Sequence, residues 1–196
     1  GQSFARFGSR VTVIEMGKRL LPKEDEEVSA TMAEVLQSDG IKILLNHKAV
    51  SATLTNGRKV LTTEGDGQGD VTTDEILVAT GRQPNIEGLN LEAAGVKYDK
   101  QRIFTDEYLR TSAYHIFAAG DVTGHFPFTH MAAYEASVVI RNALLFRPLL
   151  QKTDFRVVPW ATFTEPEVAR VGMTEKEARE KFGKVKIIKV LFEDND

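Results

Sequence analysis

Ile116-Phe117-Ala118-Ala119-Gly120-Asp121-Val122 is an apolar run that closes on three small residues and an acid, and an apolar-striped segment from Met131 to about Phe146 follows it. The reading of this stretch decides the fold. As the end of a buried strand, the small residues would let a ligand lie against the backbone, and an aspartate emerging there can accept hydrogen bonds from polyol hydroxyls. The long helix predicted next would aim its N-terminal amides at an anion or at an electron-rich ring edge. Taken alone, the same residues also fit a strand that ends in a solvated aspartate.

Upstream, Glu75-Ile76-Leu77-Val78-Ala79 reads as another buried strand, and Ala79-Thr80-Gly81-Arg82-Gln83-Pro84-Asn85 leaves its end. Glycine at that position permits close backbone approach and Pro84 enforces a sharp exit, although a plain strand-turn fits as well. Nearer the start, Phe4 and Phe7 share one face of a short helix that stops at Gly8, and Val11-Thr12-Val13-Ile14 is a β-branched strand ending in Glu15. Pro22 and the acidic run Glu24-Asp25-Glu26-Glu27 predict a helix start, with Val28, Met32, Val35 and Leu36 as its apolar stripe up to Gly40. Ile41 to Leu45 is then a strand parallel to the first, because a helical crossover joins them. From Ala49 the pattern turns to antiparallel strands, broken at Thr55-Asn56-Gly57 and at Gly65-Asp66-Gly67-Gln68-Gly69-Asp70. The second break lacks the spaced ligands of a calcium loop and is read as a surface turn without metal.

Downstream, Pro148 ends the long helix, a strand-like start follows Phe155, and Thr174 caps a helix from Glu175 to Phe182. An apolar run from Val185 to Phe192 closes the chain before Glu193-Asp194-Asn195-Asp196. With 42% hydrophobic and 27% charged residues the composition is that of a globular protein. A net charge of -3 gives no reason to expect nucleic acid or a membrane surface as partner. No apolar run is long enough to cross a bilayer and the first residues do not read as an export signal, so a cytoplasmic location is expected by default. Cysteine is absent, which excludes a disulfide, a thiolate metal site or a redox dithiol within these residues.

An acid at the tip of a strand, as at Glu15, is also where a nucleotide-binding βαβ unit holds the ribose hydroxyls, and it would repel a 2′-phosphate. Lys18 and Arg19 temper that preference. In this order, Val11 to Glu15, Ala79 to Asn85, Thr111-Ser112 with Ile116 to Gly124, and Phe163-Thr164-Glu165-Pro166-Glu167-Val168-Ala169-Arg170-Val171-Gly172-Met173-Thr174-Glu175 resemble the pyridine nucleotide-disulfide oxidoreductase family. The stretch Gly124 to Ala132 with Ala136-Ser137 looks more like its mercuric-reductase-like branch than its lipoamide-dehydrogenase-like branch.

The resemblance implies an α/β fold in three parts: residues 1–82 as part of a Rossmann-like NAD domain, 83–150 as a segment of a Rossmann-like FAD domain, and 151–196 as the start of an α+β interface domain. It implies that Glu15 holds the NAD ribose and that Ala49 and Gly81 line the nicotinamide groove. Gly120 and Asp121 would hold the ribityl region of FAD, with Pro127, Phe128, Thr129 and His130 beside the flavin. NAD(H) is expected over NADP(H), a small-molecule or disulfide substrate as acceptor, and a homodimer in the full-length protein. The family's cysteine pair and first glycine fingerprints would precede Gly1 and its His-Glu pair would follow Asp196. No residue of this chain, including His47, His115, His125 and His130, is therefore expected to be catalytic, and the chain alone is expected to be inactive. Two rival readings are a nucleotide-binding or assembly module without redox chemistry and a flavoprotein that uses oxygen or another non-disulfide acceptor.

Overall fold

A computed structural model describes residues 1–67 and 69–191. Gln68 of the glycine-rich stretch, Phe192 at the end of the last apolar run and the acidic Glu193 to Asp196 lie outside the described residues. The chain packs as two units, one made of Gly1–Val78 with the segment that starts at Val157, the other of Ala79–Arg156.

In the first unit, α1 (Gln2–Arg6) stops before Gly8, and its Phe4 and Phe7 are exposed. β1 (Thr12–Ile14) pairs in parallel with β2 (Lys42–Leu44), Thr12 opposite Lys42. The crossover between them is α2 (Glu26–Ser38). Asp25 stands at its N-cap and Glu26 and Glu27 fill its first turn, where negative charge meets the positive end of the helix. The helix stops at Gly40, whose φ of 79° is left-handed. The Gly40 N–H donates to the Gln37 carbonyl and the Ile41 N–H to the Leu36 carbonyl, a closure that glycine adopts without steric cost. Ile41 is thereby delivered into the core, 3% exposed like Met32 of α2, with Val28, Val35 and Leu36 half-buried beside them.

The expected antiparallel region is a three-stranded meander of β3 (His47–Thr55), β4 (Arg58–Gly65) and β5 (Gly69–Thr73), with its first turn at Asn56-Gly57. The same unit contains the hairpin β6 (Pro159–Thr162) and β7 (Val168–Val171), followed by α4 (Glu175–Phe182). Thr174 caps α4 as its sequence predicts. Its hydroxyl accepts from the Glu177 N–H while the Glu177 carboxyl accepts from the Thr174 N–H, so two orphan donors are satisfied reciprocally. Buried Glu24 fastens the hairpin to the approach of α2: the Trp160 indole N–H donates to it at 2.9 Å, and the Arg170 guanidinium lies 3.9 Å over the Trp160 ring.

The second unit is built on a core of Leu91, Val96, Ile103 and Ala118, with Ile86, Ala113, Ile116 and Val122 packed against it. Its long helix, α3 (Thr129–Leu144), buries Met131, Glu135, Val138 and Asn142 on one face. Asn142 accepts from the Gln151 N–H and donates to the carbonyls of Gln151 and Tyr108, which ties the chain after the helix back to it.

Two strand expectations are corrected. Residues 75–79 form no regular element, and Leu77 and Val78 are 73% and 75% exposed. The apolar run before Gly120 makes only a single bridge, Phe117 to Arg110, before turning into a short 3-10 helix, Gly120–Thr123. The physical reason is shared: a strand exists only against a neighbour, and among the described residues neither run has a strand alongside it to complete a sheet.

Candidate functional site

In the first unit, Glu15 follows β1 directly, and its backbone continues the parallel pairing by donating to the Leu44 carbonyl at 2.9 Å. Its carboxyl group is held by its own turn, Oε1 accepting the Gly17 N–H at 2.6 Å. The Arg19 guanidinium turns onto the Pro22 carbonyl at 3.0 Å. The Glu15 carbonyl accepts the His47 N–H at 3.0 Å, and this bond brings the start of β3 beside the acid. Ala49, two positions further along β3, is exposed at a bulge where the register with β4 shifts between Ala49 and Ser51. Glu15 therefore lies beside the start of the strand that carries Ala49.

In the second unit, Gly81 and Asp121 are linked through Arg82, and Gly120 lies against α3, the helix that residues 127–130 open. Gly81 is exposed, and the next residue, Arg82, faces the Asp121 carboxylate at 3.5 Å. Asp121 is itself half exposed, with a side-chain exposure of 51%. Gly120 is buried with a φ of 80°, which L side chains rarely adopt, and a Cβ there would stand 3.2 Å from the Ala132 Cβ, so that α3 would have to give by a few tenths of an ångström. α3 begins at Thr129 with no side chain capping it, which leaves its first N–H groups to an outside acceptor. Phe128 and His130 stack in parallel at 5.5 Å beside that helix end, and Pro127 and Thr129 are exposed there. Beneath the loop, Phe155 packs against His125 and Phe126 at 4.8 and 5.6 Å between ring centroids.

A half-exposed carboxylate acceptor, an uncapped helix N-terminus and a small-residue turn make a donor and acceptor set that fits a polyol-bearing dinucleotide. Among the described residues no group of three or more His, Cys, Asp and Glu side chains could hold a metal ion, and no helix is long and apolar enough to cross a membrane.

Comparison with known proteins adds the lineage. Residues 1–136 match the family described as pyridine nucleotide-disulphide oxidoreductase, and residues 158–196 match the dimerisation domain of that family. The chain belongs to the pyridine nucleotide-disulphide oxidoreductase family. It is similar to a mercuric reductase of Staphylococcus aureus, 43% identical over 92% of this chain and 33% of the relative. A dihydrolipoyl dehydrogenase of Bacillus subtilis is 35% identical over 98% of this chain and 41% of the relative. Among solved structures, the HOCl-induced flavoprotein disulfide reductase RclA of Escherichia coli superposes with a TM-score of 0.83 at 31% identity, over 95% of this chain and 42% of that one. The chain thus spans about a third to two-fifths of the length of these oxidoreductases. Its fold is the corresponding part of the family's α/β architecture, Rossmann-like cofactor-binding portions followed by the beginning of the dimerisation domain.

One residue of this family member escaped the sequence reading. Glu135 is 1% exposed and directs its carboxyl group at the Gly120 N–H, 2.6 Å away. A signal was available: a glutamate on the same helical face as Met131 and Val138 interrupts an apolar stripe, and a buried acid needs a partner.

Proposed function

We propose that this chain is an internal part of an FAD-dependent oxidoreductase that passes hydride from NAD(H) through the flavin to a disulfide, a metal ion or a similar small acceptor. Residues 1–82 would belong to its NAD domain, 83–150 to its FAD domain and 151–196 to the interface domain of a homodimer. The observation that carries this reading is the half-exposed Asp121 on a glycine turn packed against α3, a helix whose start has no side-chain cap.

Bound FAD would supply the ring that accepts hydride and hands electrons onward. The chain's own residues would bind and orient. Asp121 accepts from ribityl hydroxyls, and Gly120 lets the cofactor approach the backbone. The first amides of α3, flanked by Pro127, Phe128, Thr129 and His130, face the electron-rich edge of the ring. On the other unit, Glu15 accepts from the ribose hydroxyls of the nicotinamide cofactor while Ala49 lines its groove. The preference for NAD(H) is supported by the acid at this strand end.

The length of the relatives and the absence of cysteine support a further element: these residues alone neither retain FAD nor turn over. Purification of the 196-residue chain beside its full-length parent tests both statements. The full-length protein should carry flavin whose visible absorption bleaches on anaerobic addition of NADH, and the short chain should be colourless. Stoichiometric flavin in the short chain, or a colourless parent, would overturn the respective statement. Assays of the parent with oxidised lipoamide, glutathione disulfide, mercuric ion and oxygen then identify the acceptor.

A further inference from the structure

We infer that Glu135 is a positioning residue for the flavin, holding the Gly120 amide so that the Asp121 turn is already in its binding shape before the cofactor arrives. This rests on the reading of Gly120 and Asp121 as flavin-binding.

The bonding around Glu135 all points to one loop. Its Oε2 accepts the Gly120 N–H at 2.6 Å and lies 3.3 Å from the Thr123 hydroxyl, which itself donates to the Gly120 carbonyl at 2.9 Å. Its Oε1 stands 3.1 Å from Nδ1 of His125. Residues 120–125 are thus gathered round one carboxyl group that is 1% exposed. Met131 and Val138, which share its face of α3, show that an apolar side chain fits such a position. A carboxyl group there carries a desolvation cost that packing alone does not require.

What the carboxyl group adds is backbone geometry. Gly120 sits at a φ of 80° and begins a four-residue 3-10 helix, a segment too short to hold its own shape. The bond to its N–H, together with the close approach to Ala132, fixes that shape from outside. Asp121, the next residue, is left with its backbone fixed and its carboxylate 51% exposed, facing the exposed guanidinium of Arg82 at 3.5 Å. A fixed backbone with an exposed acceptor is what lowers the ordering cost of binding.

The test compares reach with charge in the full-length protein. Glu135→Gln keeps an oxygen acceptor at the same distance, whereas Glu135→Asp keeps the charge but shortens the side chain by one methylene. FAD affinity of the apoprotein is measured by flavin fluorescence quenching, and the visible circular dichroism of bound flavin reports its seating. Glu135→Gln should hold FAD within about threefold of wild type with an unchanged dichroic band, and Glu135→Asp should weaken it by at least about tenfold, the equivalent of one lost hydrogen bond, with a shifted band. Glu135→Met, which fills the volume without an acceptor, should behave like Glu135→Asp. If Asp and Met variants bind FAD as wild type does while their apoprotein melting temperatures fall, Glu135 is only structural and the inference is wrong. It is equally wrong if Asp retains affinity and Gln loses it, since charge would then be what matters. A Glu135→Asp protein that does not fold leaves Glu135→Gln decisive: loss of affinity beyond threefold contradicts the inference. A wild-type protein without FAD would instead remove the reading beneath it.

Discussion

Glu15 and Asp121 are assigned parallel tasks, each an acid that accepts from the hydroxyls of a dinucleotide, yet the chain prepares them in opposite ways. At Glu15 the side chain is fixed, by the amide of Gly17 two residues ahead, and the carboxyl group is shaped by its own turn. At Asp121 the side chain is left open while the backbone beneath it is fixed, by Glu135 reaching back across fifteen residues to the Gly120 amide. The first arrangement is local, so its strength depends on one turn. The second depends on α3 packing correctly, and it links the shape of the proposed flavin site to the stability of its unit.

This contrast can be broken most forcefully at Gly120. Gly120→Ala places a Cβ in a left-handed conformation and 3.2 Å from the Ala132 Cβ, on a helix that cannot easily yield. The conformational cost of roughly 1 to 2 kcal/mol, with crowding on top, should total about 2 to 4 kcal/mol. Urea denaturation of the apoprotein measures it, and FAD affinity should fall with it. At Glu15 the effect should be on binding and not on folding. Glu15→Ala removes a charged hydrogen-bond acceptor and should raise KM for NADH by about 10- to 100-fold, with kcat little changed and stability within about 0.5 kcal/mol.

A control outside both acids lies at α4. Thr174→Ala removes the cap and should destabilise by about 1 kcal/mol without altering FAD affinity or KM for NADH. The same cap has a pH signature. Hydrogen bonding from the Thr174 amide lowers the Glu177 pKa below its ordinary value of 4.5, with burial opposing. Because the folded value is the depressed one, this contribution is complete above the unfolded value and is lost as pH falls through the folded value. Glu177→Gln should therefore flatten the acid limb of the stability profile.

The smallest effect is expected at Gly17. The one tight contact of a Cβ there would be Oε1 of Glu15, at 3.1 Å, the far end of a flexible side chain, with the Arg19 carbonyl oxygen at an ordinary 3.5 Å. Gly17→Ala should shift that carboxyl group, raising KM for NADH a few-fold, while melting as wild type does. Equal stability losses from Gly17→Ala and Gly120→Ala would erase the distinction between the two sites.

The sequence revealed what depends on near neighbours. The βαβ unit with its acidic helix start, the antiparallel region turning at Asn56-Gly57, the long helix beginning near Met131 and the capped α4 all carry signals within a few residues. Their caps, turns and apolar stripes are properties of local chain chemistry. What it did not reveal depends on distant partners. Residues 75–79 have the composition of a buried strand, but strand character is completed by a neighbour that the described chain does not place beside them. Ile116 to Ala119 departs from a strand for the same reason. Glu135 interrupts an apolar stripe, and its meaning depends on Gly120, Thr123 and His125 converging on it.

The most direct test of the account is calorimetric titration of FAD into full-length apoprotein carrying either Asp121→Ala or Glu15→Ala. The account predicts that Asp121→Ala weakens FAD by at least about tenfold and that Glu15→Ala leaves it unchanged. Unchanged FAD affinity in Asp121→Ala, or a loss confined to Glu15→Ala, would contradict the assignment of the two acids to two different cofactors.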